Sequence, residues 1–208
     1  MSFDLLAPHY DWMEALTAGQ RLQRARTTWL EELRGRRRIL SVGEGHGRFA
    51  EACAAKFPEA ELTCVEGSKK MLARARARLA NSPAKINWVE TDFFQWKQEG
   101  KYDAIVTCFF LDCFTADQLA VVMQKLADAA APDAAWMAVD FSVPPSGPAR
   151  WRAQAVHALM YGFFRVATSL PARRMTAPDT LLHTHGFHLE RRREFEWGLL
   201  RADLWRRI

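Results

Sequence analysis

A glycine-rich loop is the first part of this 208-residue sequence that could do chemistry. It reads Gly43-Glu-Gly-His-Gly47 and lies between an apolar run that begins at Arg38 and a helix pattern from Phe49 to Phe57. The backbone can approach a ligand closely at such a turn, because glycine has no side chain to obstruct it. Arg48 stands where a dinucleotide-binding GxGxxG loop needs its third glycine. The spacing therefore disfavours NAD and favours another adenosine-containing cofactor.

A carboxylate, Glu66, could bind the sugar of that cofactor. It ends the next apolar run, Leu62 to Val65. Ligands of open α/β sheets bind at the carboxyl edge, where a carboxylate can accept both ribose hydroxyls of an adenosine. An ordinary surface glutamate is the alternative. The apolar run before Glu66 and the glycine loop together favour the ribose-binding interpretation.

The elements that must position these residues alternate between strands and helices. Further strand-like runs are Glu61 to Glu66, Lys85 to Glu90, Tyr102 to Phe109 and Ala134 to Phe141. Further helix patterns are Lys69 to Ala80, Ala116 to Ala131 and Arg150 to about Thr168. This alternation predicts a parallel sheet with helices on both faces.

The C-terminal part breaks the alternation. Two strand-like runs, Phe187 to Trp197 and Leu199 to Ile208, are separated by a tight turn around Gly198. Strands joined so closely must be antiparallel, so the sheet is expected to contain one reversed strand near its edge.

Composition is that of an ordinary globular domain, with 49% apolar and 25% charged residues. No run approaches the ~20 apolar residues of a membrane span, and no signal peptide is recognisable, so a cytoplasmic location is expected. The four cysteines form no CxxC pair with metal or redox spacing, which favours buried free thiols and no metal. The net charge of +5 comes from scattered arginines, which does not predict nucleic-acid binding. The oligomeric state cannot be derived from these features.

Four segments, taken in order, resemble the motifs of class I S-adenosylmethionine-dependent methyltransferases. They are Ile39 to Phe49, Val65 to Leu72, Glu90 to Phe94 and Tyr102 to Val106. The ordered set is more specific than any single motif. The resemblance implies a doubly wound, seven-stranded, mostly parallel α/β sheet with a C-terminal antiparallel hairpin. It also implies S-adenosylmethionine as cofactor, S-adenosylhomocysteine as product, and methyl transfer to a small, apolar or aromatic molecule.

The resemblance further implies which residues contact the cofactor. Those expected beside the methionine part are Gly43, Gly45 and Gly47. Those expected at the ribose and adenine are Glu66, Gly67, Met71, Asp92 and Phe93. Glu66 would hold the ribose, and Asp92 would accept from the adenine amino group. Phe93 has core packing as an equal alternative.

One position departs from the family pattern. The family usually carries an acid two residues before the first glycine, to hold the amino end of the cofactor, and Ser41 stands there. Glu44 is the predicted substitute. The carbonyl of Cys108, or water, is the alternative partner, and Glu44 would then be only a helix-terminal charge.

The methyl acceptor requires residues beyond the cofactor loops. Because the methyl group arrives on a sulfonium, proximity supplies much of the rate, and a base is optional. Asp112 is the first candidate base, followed by Asp140 and by a helix face that carries His157, Tyr161 and Arg165. Alternatively, Asp112 only caps the helix that begins near Thr115. The alternative for His157, Tyr161 and Arg165 is that they are solvated polar groups on the surface of their own helix.

The N-terminal segment is a predicted lid. Phe3 to Asp11 resembles the start of quinone-pathway and other small-molecule methyltransferases, in which a tyrosine-containing helix closes over the cofactor. Tyr10 is accordingly a candidate cofactor contact, with plain amphipathic packing as the alternative. The expected domain plan is one domain with a lid (1–35), a cofactor-binding core (36–141) and a region of acceptor-site helices and terminal hairpin (142–208).

Two other functions stay open from sequence. An RNA- or protein-modifying methyltransferase would fit the basic tail, but Phe109 to Asp112 stands where such enzymes carry an Asn/Asp-Pro-Pro-Tyr/Phe-like motif. A noncatalytic S-adenosylmethionine-binding protein would fit the departure at Ser41.

Overall fold

Seven strands form one sheet in the computed structural model, which describes residues 19–168 and 176–208. The strands are β1 Arg38–Val42, β2 Glu61–Glu66, β3 Lys85–Glu90, β4 Tyr102–Cys108, β5 Ala130–Phe141, β6 Phe187–Phe195 and β7 Leu200–Arg207. The α-helices of the described residues are α1 Gly19–Arg26, α2 Arg48–Lys56, α3 Lys69–Arg78, α4 Ala116–Ala129, α5 Gly147–Thr168 and α6 Asp179–Thr184. Two short 3-10 turns cover Leu30–Leu33 and Leu111–Cys113.

The strand order is β3-β2-β1-β4-β5-β7-β6. The first five strands pair in parallel, and β7 runs antiparallel to both β5 and β6. This confirms the predicted doubly wound sheet with one reversed strand near its edge. The order reverses between β1 and β4, and a crevice forms at the carboxyl ends of strands at such a point.

The two faces of the sheet are both covered, which explains why the central strands are apolar throughout. One buried cluster includes Ile39, Leu62, Ala104, Phe49 and Cys53. The opposite cluster includes Leu40, Val65, Ile105, Leu119 and Met123. Successive residues of a strand enter different clusters because side chains alternate across the sheet.

Two elements, β5 and α5, begin three or more residues before their predicted starts. β5 begins at Ala130, immediately after α4, instead of at Ala134, so Pro132 and Asp133 lie within the strand. A register shift between Tyr102 and Ala104 of β4 accommodates them, and Asp133 has a φ of 57°. The predicted loop is therefore a bulge, a form in which a strand tolerates proline.

The helix α5 begins at Gly147 rather than Arg150. Pro148 lies in its first turn, where backbone N–H groups have no carbonyl partner within the helix. Proline therefore breaks no helical hydrogen bond there. The short helix α6 was not predicted.

Candidate active site

A cavity of about 450 Å³ opens at the carboxyl ends of β1, β2 and β4, where the strand order reverses. Nine of the predicted cofactor residues line it: Gly43, Glu44, Gly45, Glu66, Gly67, Met71, Asp92, Phe93 and Cys108. Gly47 does not line it, and Tyr10 lies outside the described residues. The folding of the chain therefore brings most of the predicted site together from four separate segments.

Glycine is required in the loop for two different reasons. Gly43 has a φ of 68°, and a Cβ there would lie 2.5 Å from the ring of Phe110. Gly45 also has a positive φ, 63°, but faces open space. Gly47 precedes α2, and its Cβ would lie 2.9 Å from the Cα of Ala75 in α3. Gly47 thus serves the close packing of two helices rather than the cavity wall.

Glu66 is held by backbone groups on both sides. Its Oε2 accepts from the Gly45 N–H at 2.8 Å, and its Oε1 accepts from the Ser68 N–H at 2.7 Å. Ser68 also caps α3, because its hydroxyl accepts from the Met71 N–H at 3.2 Å. The buried carboxylate is therefore fixed between the glycine loop and α3.

Glu44 and Ser41 lie together in the cavity wall. The Ser41 hydroxyl donates to Glu44 Oε2, and the Ala50 N–H, in the first turn of α2, donates to Glu44 Oε1 at 2.8 Å. Burial raises the pKa of Glu44 to about 7, against the lowering effect of these hydrogen bonds. The Glu44 side chain thus lies at the start of α2 and in the cavity wall at once, and its predicted contact with the amino end of the cofactor stays a prediction.

The predicted adenine end is partly aromatic. Asp92 is exposed, and its Oδ1 accepts from the Phe94 N–H at 2.9 Å. Phe93 is buried, with its ring 5.6 Å from that of Trp96 and 5.5 Å from that of Phe110. Phe93 therefore belongs to the core and to the cavity wall together.

Arg26 is a cavity residue that sequence reasoning missed. It lies at the end of α1, is buried, and places its guanidinium 5.0 Å from the centre of the Phe109 ring. It lines the cavity near Ser41, Glu44 and Cys108. No motif surrounds Arg26 in the sequence, and only the packing of α1 against the sheet brings it to the site.

Phe109 itself is strained. Its φ is 55°, although a bulky side chain rarely adopts the left-handed region. Its N–H donates to the Val139 carbonyl at 2.7 Å, which holds the strand end in place. Such strain persists where the surrounding structure over-determines the conformation, and it is common at functional sites.

The three predicted catalytic residues lie behind the cavity wall rather than in it. Asp112 is buried in the 3-10 turn after β4, and the Tyr161 hydroxyl donates to its carbonyl oxygen at 3.1 Å. His157 is also buried, with its ring edge-on to Tyr161 at a centroid distance of 6.2 Å. The alternative of a solvated helix face is therefore wrong for His157 and Tyr161. The side chain of Arg165 lies outside the described residues.

Asp112 does not cap the next helix. Thr115 does so in a capping box with Gln118, in which the Gln118 N–H donates to the Thr115 hydroxyl at 3.4 Å. Burial raises the pKa values of both Asp112 and Asp140, which lie close enough for their charges to interact. Burial of the Asp112 side chain therefore needs another explanation than capping.

The free cysteines divide into two kinds. Cys53 and Cys64 are buried, as predicted, and burial raises the pKa of the Cys53 thiol to about 12. Cys108 and Cys113 are partly exposed and line the cavity. Burial also raises the pKa values of these two thiols, so they are not reactive thiolates at neutral pH.

Comparison with known proteins identifies this arrangement. Residues 39–133 match the family model described as a methyltransferase domain, which spans the glycine loop, Glu66 and Asp92. The segment that contains most of the cavity residues therefore resembles a methyltransferase domain. A trans-aconitate 2-methyltransferase from Acidovorax ebreus (strain TPSY) is 33% identical over 93 residues, which are 42% of this chain and 34% of that protein.

Solved structures share the fold of the methyltransferase domain at low identity. The mitomycin 7-O-methyltransferase MmcR is 19% identical with a TM-score of 0.71, covering 100% of this chain and 61% of that one. The magnesium protoporphyrin IX methyltransferase ChlM of Synechocystis PCC 6803, solved with bound SAH, is 17% identical with a TM-score of 0.65, covering 91% of this chain and 83% of that one. This chain therefore spans about a third of its curated relative and under two thirds of MmcR. Within the described ranges, no helix is long and apolar enough to cross a membrane.

Proposed function

We propose that this methyltransferase domain transfers a methyl group from S-adenosylmethionine to a small, apolar or aromatic molecule. The observation that carries the proposal is the buried Glu66 carboxylate, which the N–H groups of Gly45 and Ser68 fix at the cavity. A fixed acceptor of hydrogen bonds beside a glycine loop suits a ribose diol.

The remaining cavity residues fit the other parts of the cofactor. Asp92 and Phe93 suit the adenine amino group and ring, with Gly67 and Met71 beside them. The opposite end carries both signs of charge, because Glu44 and Arg26 line it together. A carboxylate and a guanidinium suit the ammonium and carboxylate of an amino acid, so we assign the methionine part to this end.

S-adenosylmethionine supplies a methyl group already attached to a sulfonium, so the chain must chiefly align the acceptor. The cavity wall on the β4 side is aromatic and includes Phe109, Phe110 and Phe114. Such a wall favours an apolar or aromatic acceptor over a highly charged one. We place Asp112, His157 and Tyr161 on the acceptor side, with Asp112 as the candidate base. The N-terminal lid and Tyr10, like the cytoplasmic location, stay predictions.

The positions of the basic residues favour a small molecule over RNA. Arg34, Arg36 and Arg206 lie at the edge of the sheet opposite the cavity, near the start of β1 and the end of β7. Each is engaged by a carboxylate, respectively Glu31, Asp133 and Glu190. A nucleic acid bound to these groups would therefore lie far from the methyl donor.

The test is transfer of labelled methyl groups. The protein is incubated with methyl-labelled S-adenosylmethionine and an extract of small metabolites, and labelled products are identified by mass spectrometry. We expect a labelled small molecule that Glu66→Ala protein does not produce. A protein that binds S-adenosylhomocysteine but labels no small molecule would instead be a noncatalytic binder or a modifier of macromolecules, and labelling of added RNA or protein separates those two.

A further inference from the structure

The end of the cavity that we assign to the adenine is lined by four phenylalanine rings, Phe93, Phe94, Phe110 and Phe114. The Phe110 ring lies 5.5 Å from that of Phe93 and 4.9 Å from that of Phe114. The Phe94 ring lies 5.7 Å from that of Phe114. Aromatic rings suit the faces of a flat base, but they do not distinguish one base from another, because every base has a π-face. A choice between bases therefore depends on polar groups at the same end.

The helix α4 approaches this aromatic end with the face that carries Gln118. Lys125 lies on that helix seven residues after Gln118, and its Nζ donates to the carbonyl oxygens of Phe93 at 3.0 Å and Phe94 at 2.8 Å. Residues seven apart lie on the same face of a helix, so Gln118 faces the same segment of chain. Gln118 lines the cavity itself, as does Asp92. The two polar side chains therefore lie at the aromatic end together.

The capping box at the start of α4 fixes the orientation of the Gln118 amide. The Thr115 N–H donates to Gln118 Oε1 at 3.1 Å, and the Thr115 hydroxyl donates to the same oxygen at 3.2 Å. A backbone N–H can only donate, so the amide atom that receives it is the oxygen, and the NH2 group points elsewhere. Within the described ranges, no group accepts a hydrogen bond from Gln118 Nε2. An ordered side chain of the cavity wall thus has two unused N–H donors.

The edge of adenine that carries the amino group has the complementary pattern. The amino group donates, and the ring nitrogens on either side of it, N1 and N7, accept. The ionised Asp92 carboxylate can only accept, and the Gln118 NH2 group can only donate. One acceptor and one donor at the aromatic end therefore match an amino group beside a ring nitrogen.

We propose that Gln118 Nε2 donates a hydrogen bond to a ring nitrogen beside the adenine amino group, while Asp92 accepts from that amino group. This inference rests on the proposed function and adds a residue that selects the base. Hypoxanthine has a carbonyl oxygen in place of the amino group, so two acceptors would meet at Asp92. A site that hydrogen-bonds its ligand rejects analogues that leave its own polar groups unpaired. Gln118 thus caps α4 with its oxygen and selects adenine with its nitrogen.

Gln118→Glu separates these two roles. Glutamate keeps an acceptor for Thr115 and completes a capping box as well as glutamine does, so the fold should survive. The variant removes the N–H donors and places a second acceptor opposite the ring nitrogen. We therefore expect the affinity for S-adenosylhomocysteine to fall at least about tenfold, measured by calorimetry.

Gln124→Glu is the matched control for the change in charge. Gln124 is an exposed residue of the same helix and does not line the cavity. Its effect on affinity should stay within about twofold, because an exposed charge is screened by salt. The midpoint of chemical denaturation, measured for both variants, checks that the fold is intact.

Two analogues of the ligand test the hydrogen bond in the unaltered protein. In one, carbon replaces N1 of S-adenosylhomocysteine, and in the other, carbon replaces N7. One of the two should bind the unaltered protein about three- to thirtyfold more weakly than S-adenosylhomocysteine, because Nε2 loses its acceptor. The same replacement should cost the Gln118→Glu protein less than about twofold, since the donor is already absent.

The possible results separate this proposal from the proposed function. If the unaltered protein does not bind S-adenosylhomocysteine at all, the proposed function itself is contradicted. If it binds, but each analogue costs the unaltered and the Gln118→Glu proteins equally, the role of Gln118 is overturned. Unchanged S-adenosylhomocysteine affinity in Gln118→Glu, with a raised KM for the methyl acceptor, would also overturn it, because the aromatic end would then hold the acceptor instead of the adenine.

Discussion

Among single residues, Glu66 shows how backbone groups fix a carboxylate at the cavity. The N–H groups of Gly45 and Ser68 hold both oxygens from opposite sides. The side chain therefore has little freedom left to lose when a ligand binds, and such preorganisation strengthens affinity.

Glu66→Ala should weaken binding of S-adenosylhomocysteine by about 1–3 kcal/mol, because hydroxyl groups of the ligand would lose their acceptor. Asp92→Ala should cost less, since Asp92 is exposed. Glu90 pairs with Glu66 in the β2–β3 register but is exposed and outside the cavity, so Glu90→Gln is the matched control. Calorimetry measures all three. Unchanged affinity in a folded Glu66→Ala protein would remove Glu66 from the site.

Arg26 should recognise the amino-acid part of the cofactor selectively. Arg26→Met is expected to weaken S-adenosylhomocysteine binding by about ten- to a hundredfold, the range for a charge-assisted hydrogen bond. Binding of 5′-methylthioadenosine, which lacks the amino-acid end, should not change. Arg24→Ala, an exposed position on the same helix, is the control. Equal losses for both ligands would contradict the assignment.

Glu44 should make cofactor binding pH-dependent. Its pKa of about 7 means that the ionised form needed by an ammonium group is scarce at pH 6 and abundant at pH 8. Affinity for S-adenosylhomocysteine should rise about tenfold across that interval, with proton release, and Glu44→Gln should flatten the profile. In the free protein, the unfolding free energy changes with pH in the direction opposite to the binding affinity. Because the folded pKa lies above 4.5, the group's contribution to unfolding free energy is lost as pH rises through about 7.

At the scale of elements, the close approach of α2 and α3 depends on Gly47. Gly35 offers a matched comparison, because its φ of 80° resembles the 88° of Gly47 but no atom lies within 4 Å of its Cβ position. Gly35→Ala should cost about 1–2 kcal/mol from the left-handed backbone alone. Gly47→Ala should cost about 1–3 kcal/mol more, because its Cβ meets the backbone of Ala75. Chemical denaturation measures both, and equal costs would show that the helices adjust freely.

Most elements could be predicted from the sequence pattern because the central strands are largely apolar runs between helix patterns. The start of β5 could not, because Pro132 and Asp133 are typical of a loop. Only pairing with β4 shows that they form a bulge. The prediction for α5 likewise missed its first turn, because proline is common both in loops and in the first turn of a helix.

At the scale of the whole molecule, the cofactor end of the site was predictable, because its residues lie in consecutive strand–loop units. The position of Arg26 in the cavity wall was not, because it depends on how α1 packs against the sheet. Gly47 was predicted at the cofactor because its loop resembles the family motif, whereas its packing against Ala75 depends on the approach of a second helix. Sequence patterns identify groups on one element well and contacts between elements poorly.

We expect this cavity to bind S-adenosylmethionine and no dinucleotide. Isothermal titration calorimetry of the protein with S-adenosylhomocysteine and, separately, with NAD provides the test. We expect one site per chain for S-adenosylhomocysteine, weakened in Glu66→Ala and Arg26→Met proteins, and no measurable binding of NAD. Tight NAD binding with no response to S-adenosylhomocysteine would contradict it.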